Sequence, residues 1–308
     1  MRQFNFVSKR KSFLILSLII IAVALIFIFS KGFNFGVDFT GGTEISLTVS
    51  NVDATVGDVR GDLVEENELF ESARIIKQRP LAETLEGETV TKARFSIIVT
   101  GEQANELENL EGIIVNALDD ELLGVSSDDI VSVNTISGFA AQEIKGYATT
   151  AVIVAVALVL LYITVRFRFA FGLGAILALV HDLVIVLGLY SIFGIEFNAP
   201  VIAAFLTLLG YSLNDTIVVY DRIRENLKKL RGKPITEIVN SSINEVIVRS
   251  INTSLTTFIA VLVLYIFSGE VLQPFAFGIL AGVIVGTYSS LYIASPVVVT
   301  WISKRGRT

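Results

Sequence analysis

The stretch LLGYSLNDTIVVYDRIREN, residues 208–226, joins an apolar run to a cluster of charges. Its first half is apolar enough to lie in lipid, but Asn214 and Asp215 interrupt the second half, and Asp221 and Arg222 follow. A carboxylate in the middle of a membrane span costs about 2.5–3.5 kcal/mol on insertion scales, and such residues usually face the interior of a helix bundle. The stretch therefore predicts a membrane helix bundle in which Asp215 has a specific task.

The composition of the whole chain also indicates a membrane protein. Its 308 residues are 53% hydrophobic, above the 45–50% that is usual for soluble domains. The apolar residues fall in blocks of roughly 18–22, long enough to cross about 30 Å of hydrocarbon as a helix. The chain has no cysteine, one histidine and no P-loop sequence, which argues against disulfides, a multi-histidine metal site and nucleotide binding. Any work that it does must draw on an ion gradient or on a partner.

Six apolar spans account for these blocks. They cover residues 13–30, 147–165, 170–193, 199–220, 250–268 and 274–302. The first span follows a basic tail and lacks an A-x-A-like cleavage site, so we interpret it as a retained signal anchor and not as a cleaved signal peptide. The basic loops and both termini then fall on one side of the membrane, which the positive-inside rule identifies as the cytoplasm.

The spans divide the chain into three segments. Residues 1–30 form an N-terminal tail and the first span, and residues 31–146 form a polar domain with 22 acidic and 8 basic residues. Residues 147–308 contain the other five spans, with a basic cytoplasmic segment over residues 221–249 that is either a simple positive-inside loop with an interfacial helix or a contact surface for lipid or a partner. The polar domain falls on the outer side of the membrane.

The polar domain alternates between strand and helix patterns. TEISLTVS alternates as a strand does, and residues 54–70 place apolar side chains near helical spacing. SARIIKQ and TKARFSIIVT are strand-like runs on either side of the turn-rich RPLAETLEGE, residues 79–88. An amphipathic helix over residues 102–122 and a last strand, DIVSVNTISG, complete the order β-α-β-β-α-β, which predicts a ferredoxin-like domain.

Two charged residues in neighbouring spans form the first candidate site. Asp215 lies about one turn before the cytoplasmic end of span four, between Asn214 and Thr216, and Arg249 begins span five at about the same depth. Burial disfavours a charged carboxylate and a nearby cation favours it, so a movement that separates the two residues would exchange a proton. The alternatives are that Asp215 only reaches the membrane interface and that Arg249 is an ordinary positive-inside anchor.

Two further features of the spans stand out. Asp182 is a second carboxylate within a span, about midway along span three, and His181 beside it is either a relay partner or a structural neighbour. Span six repeats small residues every four positions, at Gly278, Gly282 and Gly286. Such a ladder lets another helix approach closely, and it carries no chemistry.

Four stretches resemble one known family. They are FNFGVDFTGGTEISL after span one, LVHDLVIVLGLYSIFGIEFNAP across span three, GYSLNDTIVVYDRIREN in span four and INTSLTTFIAVLVLYIF in span five. Together they are similar to the SecD/SecF protein-export family and, within it, to the SecF members, over essentially the whole chain. The resemblance implies membership of the resistance–nodulation–division superfamily. It also implies a pairing with SecD, in which two six-span halves use the proton-motive force to draw preproteins from the export channel.

The resemblance also implies the site residues. The resemblance implies a proton pathway that includes Asp215 and Arg249 of this chain and is completed by an aspartate from SecD, and Asp182 also matches the family pattern. We add Asn214 and Thr216 to the candidate pathway because they flank Asp215 as polar neighbours.

The glycine-rich signature after span one is a candidate hinge. It consists of Gly36, Asp38, Gly41 and Gly42, and glycine permits backbone angles that other residues avoid. A helix shift at the proton site would move the outer domain about this point. The alternative is a tight turn into the first strand.

We therefore expect a SecF-like accessory subunit of the bacterial protein translocase, in the inner membrane, with both termini cytoplasmic and the 31–146 domain periplasmic. Its expected partners are SecD, the SecYEG channel, preproteins and membrane lipid, with YajC as a further candidate and no nucleic acid. We expect no enzymatic activity, no metal and no cofactor, with protons as the coupling ion. Two other functions stay open: a half-transporter for a small molecule or lipid, and a non-transporting scaffold of the export channel.

Overall fold

The computed structural model describes residues 4–85, 88–100, 110–119, 123–269 and 271–305. The chain separates into two compact units, one helical (Met1–Asn34 with Ala148–Thr308) and one built around a sheet (Phe35–Tyr147). The helices and strands are, in chain order, α1 (Arg10–Ser30), β1 (Asn34–Phe35), α2 (Val37–Thr40), β2 (Gly42–Val49), α3 (Val56–Glu66), β3 (Arg74–Leu85), β4 (Glu88–Val99), α4 (Leu110–Leu118), β5 (Ile130–Ile136), α5 (Gly138–Arg166), α6 (Phe169–Phe193), β6 (Glu196–Phe197), α7 (Ala199–Lys229), α8 (Ile235–Phe267), α9 (Gln273–Ser289) and α10 (Ser295–Arg305).

Among the described residues, six helical segments are long and apolar enough to cross a membrane: α1, α5, α6, α7, α8 and a last span, Gln273–Ser303, that joins α9 to α10. The prediction of a six-span helical membrane protein is confirmed at this level. Burial differs sharply between the spans. In the most apolar 18-residue stretch of each helix, 61% of the residues of α6 are buried within the chain, against 6% for α5 and 11% for α8. α6 is therefore central to the bundle, and α5 and α8 present most of their surface outward.

The basic segment 221–249 is mostly helix, because α7 and α8 extend into it from both ends. The sequence predicts a loop with an interfacial helix here. Arg222 forms an ion pair with Glu245 across the two extensions, and the buried amide of Asn226 donates to Ser242 Oγ at 3.1 Å. Hydropathy detects only the roughly 20 residues that lie in hydrocarbon, so it does not show that both helices continue beyond it.

Small residues of α9 lie directly against α7. A Cβ atom added at Gly282 would lie 2.3 Å from Leu208 Cδ1, and one at Gly286 would lie 3.3 Å from Ser212 Cβ. A Cβ atom at Gly278 would also meet another side chain, at 2.4 Å. The three glycines thus occupy the helix contact face of α9, and they allow Ser212 to approach that helix closely.

The last span contains a π-helical segment, Ser290–Ala294, between α9 and α10. Pro296 has no N–H group and cannot complete the regular α-helical hydrogen-bond ladder across this segment. Two hydroxyl groups bond to other carbonyl oxygens of the segment, those of Ser290 and Ala294. Ser295 Oγ donates to the first carbonyl oxygen at 2.9 Å, and Tyr220 Oη donates to the last at 3.1 Å. Tyr220 of α7 thus connects the end of the π-helical segment to a neighbouring helix.

The sheet unit contains four antiparallel strands in the order β3-β4-β2-β5. Alternate residues of β2, Ile45, Leu47 and Val49, are fully buried together with Leu63 of α3 and Ile114 of α4. The inward-facing residues of the strands and the apolar faces of α3 and α4 thus form one core. The predicted helix over residues 102–122 lies only partly within the described residues, where α4 covers its middle.

The predicted turn over residues 79–88 is too long, because β3 continues to residue 85 and the antiparallel β4 begins at residue 88. Pro80 made a strand here look unfavourable. β3 is an edge strand, and its pairing with β4 shifts register between Gln78 and Leu81. Proline is tolerated at such a bulge on a sheet edge, where its missing N–H group breaks no ladder bond.

The glycine-rich signature forms a tight connection between α2 and β2. Gly41 and Gly42 have φ angles of 69° and 116°, which favour glycine. A Cβ atom at Gly42 would lie 2.2 Å from Val99 O. Gly36 is the N-cap of α2, and Asp38 lies in its first turn. The backbone angles and the close approach explain why both Gly41 and Gly42 are glycine in this tight connection. The role of the signature as a hinge stays a prediction.

Candidate functional site

Asp215 is buried between α7 and α8. It is 4% exposed, and its Oδ2 atom has no hydrogen-bond partner among the described residues. The hydroxyl group of Ser250, from α8, lies beside the carboxyl group, and Ser250 Oγ is likewise buried without a partner in the described part of the chain. Buried polar atoms are usually hydrogen-bonded, and a native exception calls for an explanation. The described neighbour of this buried carboxyl group is thus a neutral hydroxyl group and not a cation.

Arg249 does not form the predicted ion pair with Asp215. Its side chain is exposed, whereas Ser250, the next residue along α8, is 1% exposed and faces α7. Successive residues of an α-helix point about 100° apart, so the phase of α8 brings the serine and not the arginine to the carboxyl group. The two residues are therefore not paired in this structure, and the predicted proton exchange between them stays a prediction.

The residues on either side of Asp215 do not contact its carboxyl group. Asn214 is exposed. Thr216 is buried, but its Oγ1 atom donates to the carbonyl oxygen of Ser212 on its own helix, at 3.1 Å. Because neighbours on a helix point in different directions, the sequence proximity of these polar side chains does not make them partners.

A strip of polar side chains runs along the outer surface near Asp215. Its members are exposed on α7 and α8, and Thr253 and Thr256 bond to carbonyl oxygens of their own helix. We call it the polar strip, and it consists of Asn214, Arg249, Asn252, Thr253 and Thr256. Polar groups facing lipid are unfavourable, so this surface is unlike that of a helix surrounded by acyl chains.

Asp182 is fully buried, and both its oxygens are hydrogen-bonded. His181 Nδ1 lies 2.9 Å from Oδ1. Ser212 Oγ and Ser289 Oγ donate to Oδ2 at 2.6 Å and 2.8 Å. The carboxyl group therefore connects α6, α7 and α9 at one point, immediately before the π-helical segment. Within the described residues, no group of three or more histidine, aspartate or glutamate side chains is placed to hold a metal ion.

His181 extends the same cluster towards α1. The imidazole is 4% exposed, and Tyr288 stacks on it with ring centroids 5.8 Å apart and an interplanar angle of 26°. Tyr288 Oη donates to Phe13 O at 2.9 Å and lies 2.8 Å from Ser17 Oγ. The sequence argument missed Tyr288 and the serines. Ser212 could have been found from the sequence, because it lies three residues before Asp215 and so shares its face of α7.

The fold and the site define a class: a multi-pass helical membrane protein with two buried carboxylates among its spans. Comparison with known proteins gives the family. Residues 120–304 match the model described as "Protein export membrane protein SecD/SecF, C-terminal", and residues 26–51 match the SecD/SecF GG motif. The chain belongs to the SecD/SecF family of protein-export membrane proteins. The resemblance drawn from the sequence is confirmed.

Individual relatives agree with this family. The chain is 49% identical to the protein translocase subunit SecF of Petrotoga mobilis, over 100% of this chain and 99% of the relative. It is 38% identical to SecDF of Thermus thermophilus, over 98% of this chain and 39% of the relative. A crystal structure of SecDF, a translocon-associated membrane protein of Thermus, matches with a TM-score of 0.81 at 37% identity, over 98% of this chain and 39% of that one.

The chain thus spans about two fifths of the length of these SecDF proteins, and nearly the whole length of the SecF relative. In function it is a SecF-like accessory subunit of the protein translocase, a component of membrane transport.

Proposed function

We propose that this subunit pairs with SecD and uses the proton-motive force to complete preprotein export on the periplasmic side of the bacterial inner membrane. In this proposal it works beside the SecYEG channel, with YajC as a further candidate partner and lipid around the spans. Both termini lie in the cytoplasm, and the segment 31–146 is a ferredoxin-like periplasmic domain. Protons are the coupling ion, and no resident cofactor takes part.

The observation that carries the proposal is the state of Asp215. Its carboxyl group is buried in a span beside the neutral hydroxyl group of Ser250, and no ion pair to it lies within the described residues. A buried carboxylate without a cation is costly, and taking up a proton removes most of that cost. Asp215 is therefore suited to bind a proton when it is isolated and to release it when a cation approaches.

Arg249 supplies that cation in the proposal. It begins the membrane part of α8, one residue before Ser250, and its side chain is exposed. A rotation or sliding of α8 against α7 would exchange Ser250 for Arg249 beside Asp215. The attraction between opposite charges grows steeply in a low-dielectric site, so this exchange would favour release of the proton. The proposed pathway also includes three other residues. Asn214 belongs to it as a member of the polar strip, and Thr216 and Asp182 belong to it because both bond to Ser212.

The polar strip supports a second subunit on this side of the bundle. Arg249 and Asn252 on an outward face would be unfavourable in contact with lipid, and α5 and α8 bury little surface within the chain. Helix surfaces that are not covered within their own chain are candidates for contacts with another subunit. The existence of relatives named SecDF, each much longer than this chain, supports SecD as that subunit.

The sheet unit is the proposed moving part. Its element order β-α-β-β-α-β and its strand order agree with a ferredoxin-like domain. The acidic character of the segment 31–146, against the basic loops of the other side, supports a periplasmic position. In the proposal, helix shifts at the proton site reach this domain through the signature Gly36, Asp38, Gly41 and Gly42, where the backbone angles suit glycine.

The test compares three variants in cells depleted of the native subunit. We expect Asp215→Asn and Arg249→Met to insert and co-purify with SecD but to lose most proton-dependent export. Asp221→Asn is the matched control, because Asp221 is an exposed carboxylate on the same helix that pairs with Arg166. Export by Asp215→Asn at the wild-type rate would favour a non-transporting scaffold and would overturn the proposal.

A further inference from the structure

The two ring nitrogens of His181 have different environments. Nδ1 lies 2.9 Å from Asp182 Oδ1, whereas Nε2 is buried without a hydrogen-bond partner among the described residues. His181 is also the chain's only histidine. A histidine beside a carboxylate is commonly oriented by it, and the nitrogen that faces away is then the one that exchanges protons.

The contacts of Asp182 bear on which ring nitrogen of His181 carries the hydrogen. Ser212 Oγ and Ser289 Oγ donate to Oδ2 at 2.6 Å and 2.8 Å, and hydrogen bonds of this kind favour the charged carboxylate. If the carboxyl group is ionised, it can only accept hydrogen bonds, and the hydrogen between Oδ1 and the imidazole is then on Nδ1. In the neutral imidazole, Nε2 then has a free lone pair that points into the bundle.

We propose that His181 and Asp182 form a second proton-binding site, in which Nε2 of His181 takes up the proton and Asp182 remains its fixed counter-ion. Uptake forms one N–H bond at Nε2 and breaks one O–H bond of a hydronium ion. The net charge of the pair changes from −1 to 0, with no other bond made or broken. The alternative is a proton on Asp182 Oδ1 that is donated to Nδ1, and it would leave Nε2 carrying hydrogen at every pH.

The surroundings of the imidazole suit a cation. Asp182 faces it from its own helix, and Tyr288 faces it from α9 with its ring stacked on the imidazole. Aromatic faces attract cations. From α1 the nearest polar group is Ser17, which contacts the hydroxyl group of Tyr288, and from α7 it is Ser212, which contacts Asp182. Asp182 and Tyr288 are thus the titratable groups that face the ring.

A protonated site would alter the contacts between helices. As His181 gains positive charge, its attraction to Asp182 increases, and the carboxylate depends less on the hydroxyl groups of Ser212 and Ser289. Ser212 shares a helix face with Asp215, so a change at His181 can reach Asp215 through one turn of α7. This coupling rests on the proposed function of Asp215, whereas proton binding at His181 does not.

The experiment observes the single histidine directly. The full-length protein, labelled with [¹⁵N]histidine and purified through a tag without histidine, is placed in lipid nanodiscs and followed by NMR as the pH is lowered. We expect Nδ1 to carry hydrogen throughout and the Nε2 resonance to move from its lone-pair to its protonated position. Asp182→Asn should abolish the preference for hydrogen on Nδ1. Ser290→Ala is the control, because Ser290 is a neighbouring buried hydroxyl whose bond is to Thr287 O.

Two results would overturn the proposal: an Nε2 atom that carries hydrogen at every pH, or one that never gains it while the protein stays folded. The same titration in Asp215→Asn separates this proposal from the proposed function. If Nε2 still titrates there, and export by Asp215→Asn equals that of the wild type, the histidine site stands and the role of Asp215 falls. If Nε2 does not titrate in the wild type or in Asp215→Asn, and Asp215→Asn abolishes export, the role of Asp215 stands and the histidine site falls.

Discussion

Ser212 Oγ donates a 2.6 Å hydrogen bond to Asp182 Oδ2, and this contact links the two buried carboxylates of the helical unit. Ser212 and Asp215 lie three residues apart on α7, so they share one face of that helix. A shift of α7 that moves Asp215 must therefore also stretch or break the bond to Asp182. The link is short because Gly286 of α9 leaves room for Ser212.

Replacing Ser212 by alanine should destabilise the helical unit by about 1–3 kcal/mol, because a fully buried carboxylate loses a donor that nothing else replaces. The measurement is the thermal unfolding midpoint of the full-length protein in one detergent. Ser290→Ala removes a buried hydroxyl that bonds only to its own helix and should lower the midpoint less. Equal shifts in the two variants would mean that the bond to Asp182 contributes nothing specific.

Replacing Gly188 by alanine should weaken the contact between α6 and α1. A Cβ atom at this position would lie 2.8 Å from Ala24 Cα, so the helix backbones would have to separate. Overpacking of this kind typically costs about 1–3 kcal/mol. Gly210→Ala is the control, because a Cβ atom there meets nothing within 4 Å. An unfolding midpoint that is the same for both variants would contradict the close approach.

Replacing Gly42 by alanine should disrupt the sheet unit. The φ angle of 116° is strained for any side chain, and the added Cβ atom would lie 2.2 Å from Val99 O. The backbone strain alone costs about 1–3 kcal/mol. Protease resistance of residues 35–147 in the full-length protein measures the effect. Gly61→Ala, at an open position within α3, should be neutral or slightly stabilising, and equal resistance of the two variants would refute the prediction.

Acid should destabilise the sheet unit through Asp129. Burial raises the pKa of Asp129, but hydrogen bonds from Lys92 and Ser126 outweigh it and hold that pKa below its ordinary value. A carboxyl group with a lowered pKa in the folded state stabilises the protein at pH values above about 3.9, and this stabilisation is lost as the pH falls through the lowered pKa. Lys92 Nζ lies 2.6 Å from Oδ1, and Ser126 Oγ donates to Oδ2 at 2.7 Å.

Amide hydrogen exchange of residues 123–136 in the full-length protein, corrected for intrinsic pH dependence, measures this effect. Protection should fall in acid for the wild type. In Asp129→Asn it should already be lower at neutral pH and change less on acidification. A variant that loses protection in acid as steeply as the wild type would show that another carboxylate is responsible.

The spans were predictable from the sequence because hydrocarbon imposes a length and a composition on any helix that crosses it. The predicted span 170–193 differs from α6 by one residue at its start. The same rule gives no information where a helix leaves the membrane, and the extensions of α7 and α8 were missed for that reason. Pro80 misled the prediction of β3, since the tolerance of an edge strand for proline depends on strand order, which local sequence does not contain.

The candidate site was predictable in its charges and not in its contacts. Asp182 and Asp215 stand out because a carboxylate in an apolar span is rare. The partner of Asp215 depends on the rotation of α8 about its own axis, which tertiary packing determines, so the sequence favoured Arg249 over Ser250. Serine is common in membrane helices, and nothing in the sequence marked Ser289 as one of the two hydroxyl groups that reach Asp182.

The π-helical segment Ser290–Ala294 makes chain length itself a structural constraint on the last span. One residue more or less turns everything that follows by about 100° about the helix axis. Val299 is fully buried and Thr300 is exposed, and deletion of one residue from the segment would bring Thr300 to the place of Val299. Among related chains, gaps and insertions should therefore be rarer here than substitutions, because a substitution alters one side chain and a gap turns the whole of α10 by about 100° about its axis.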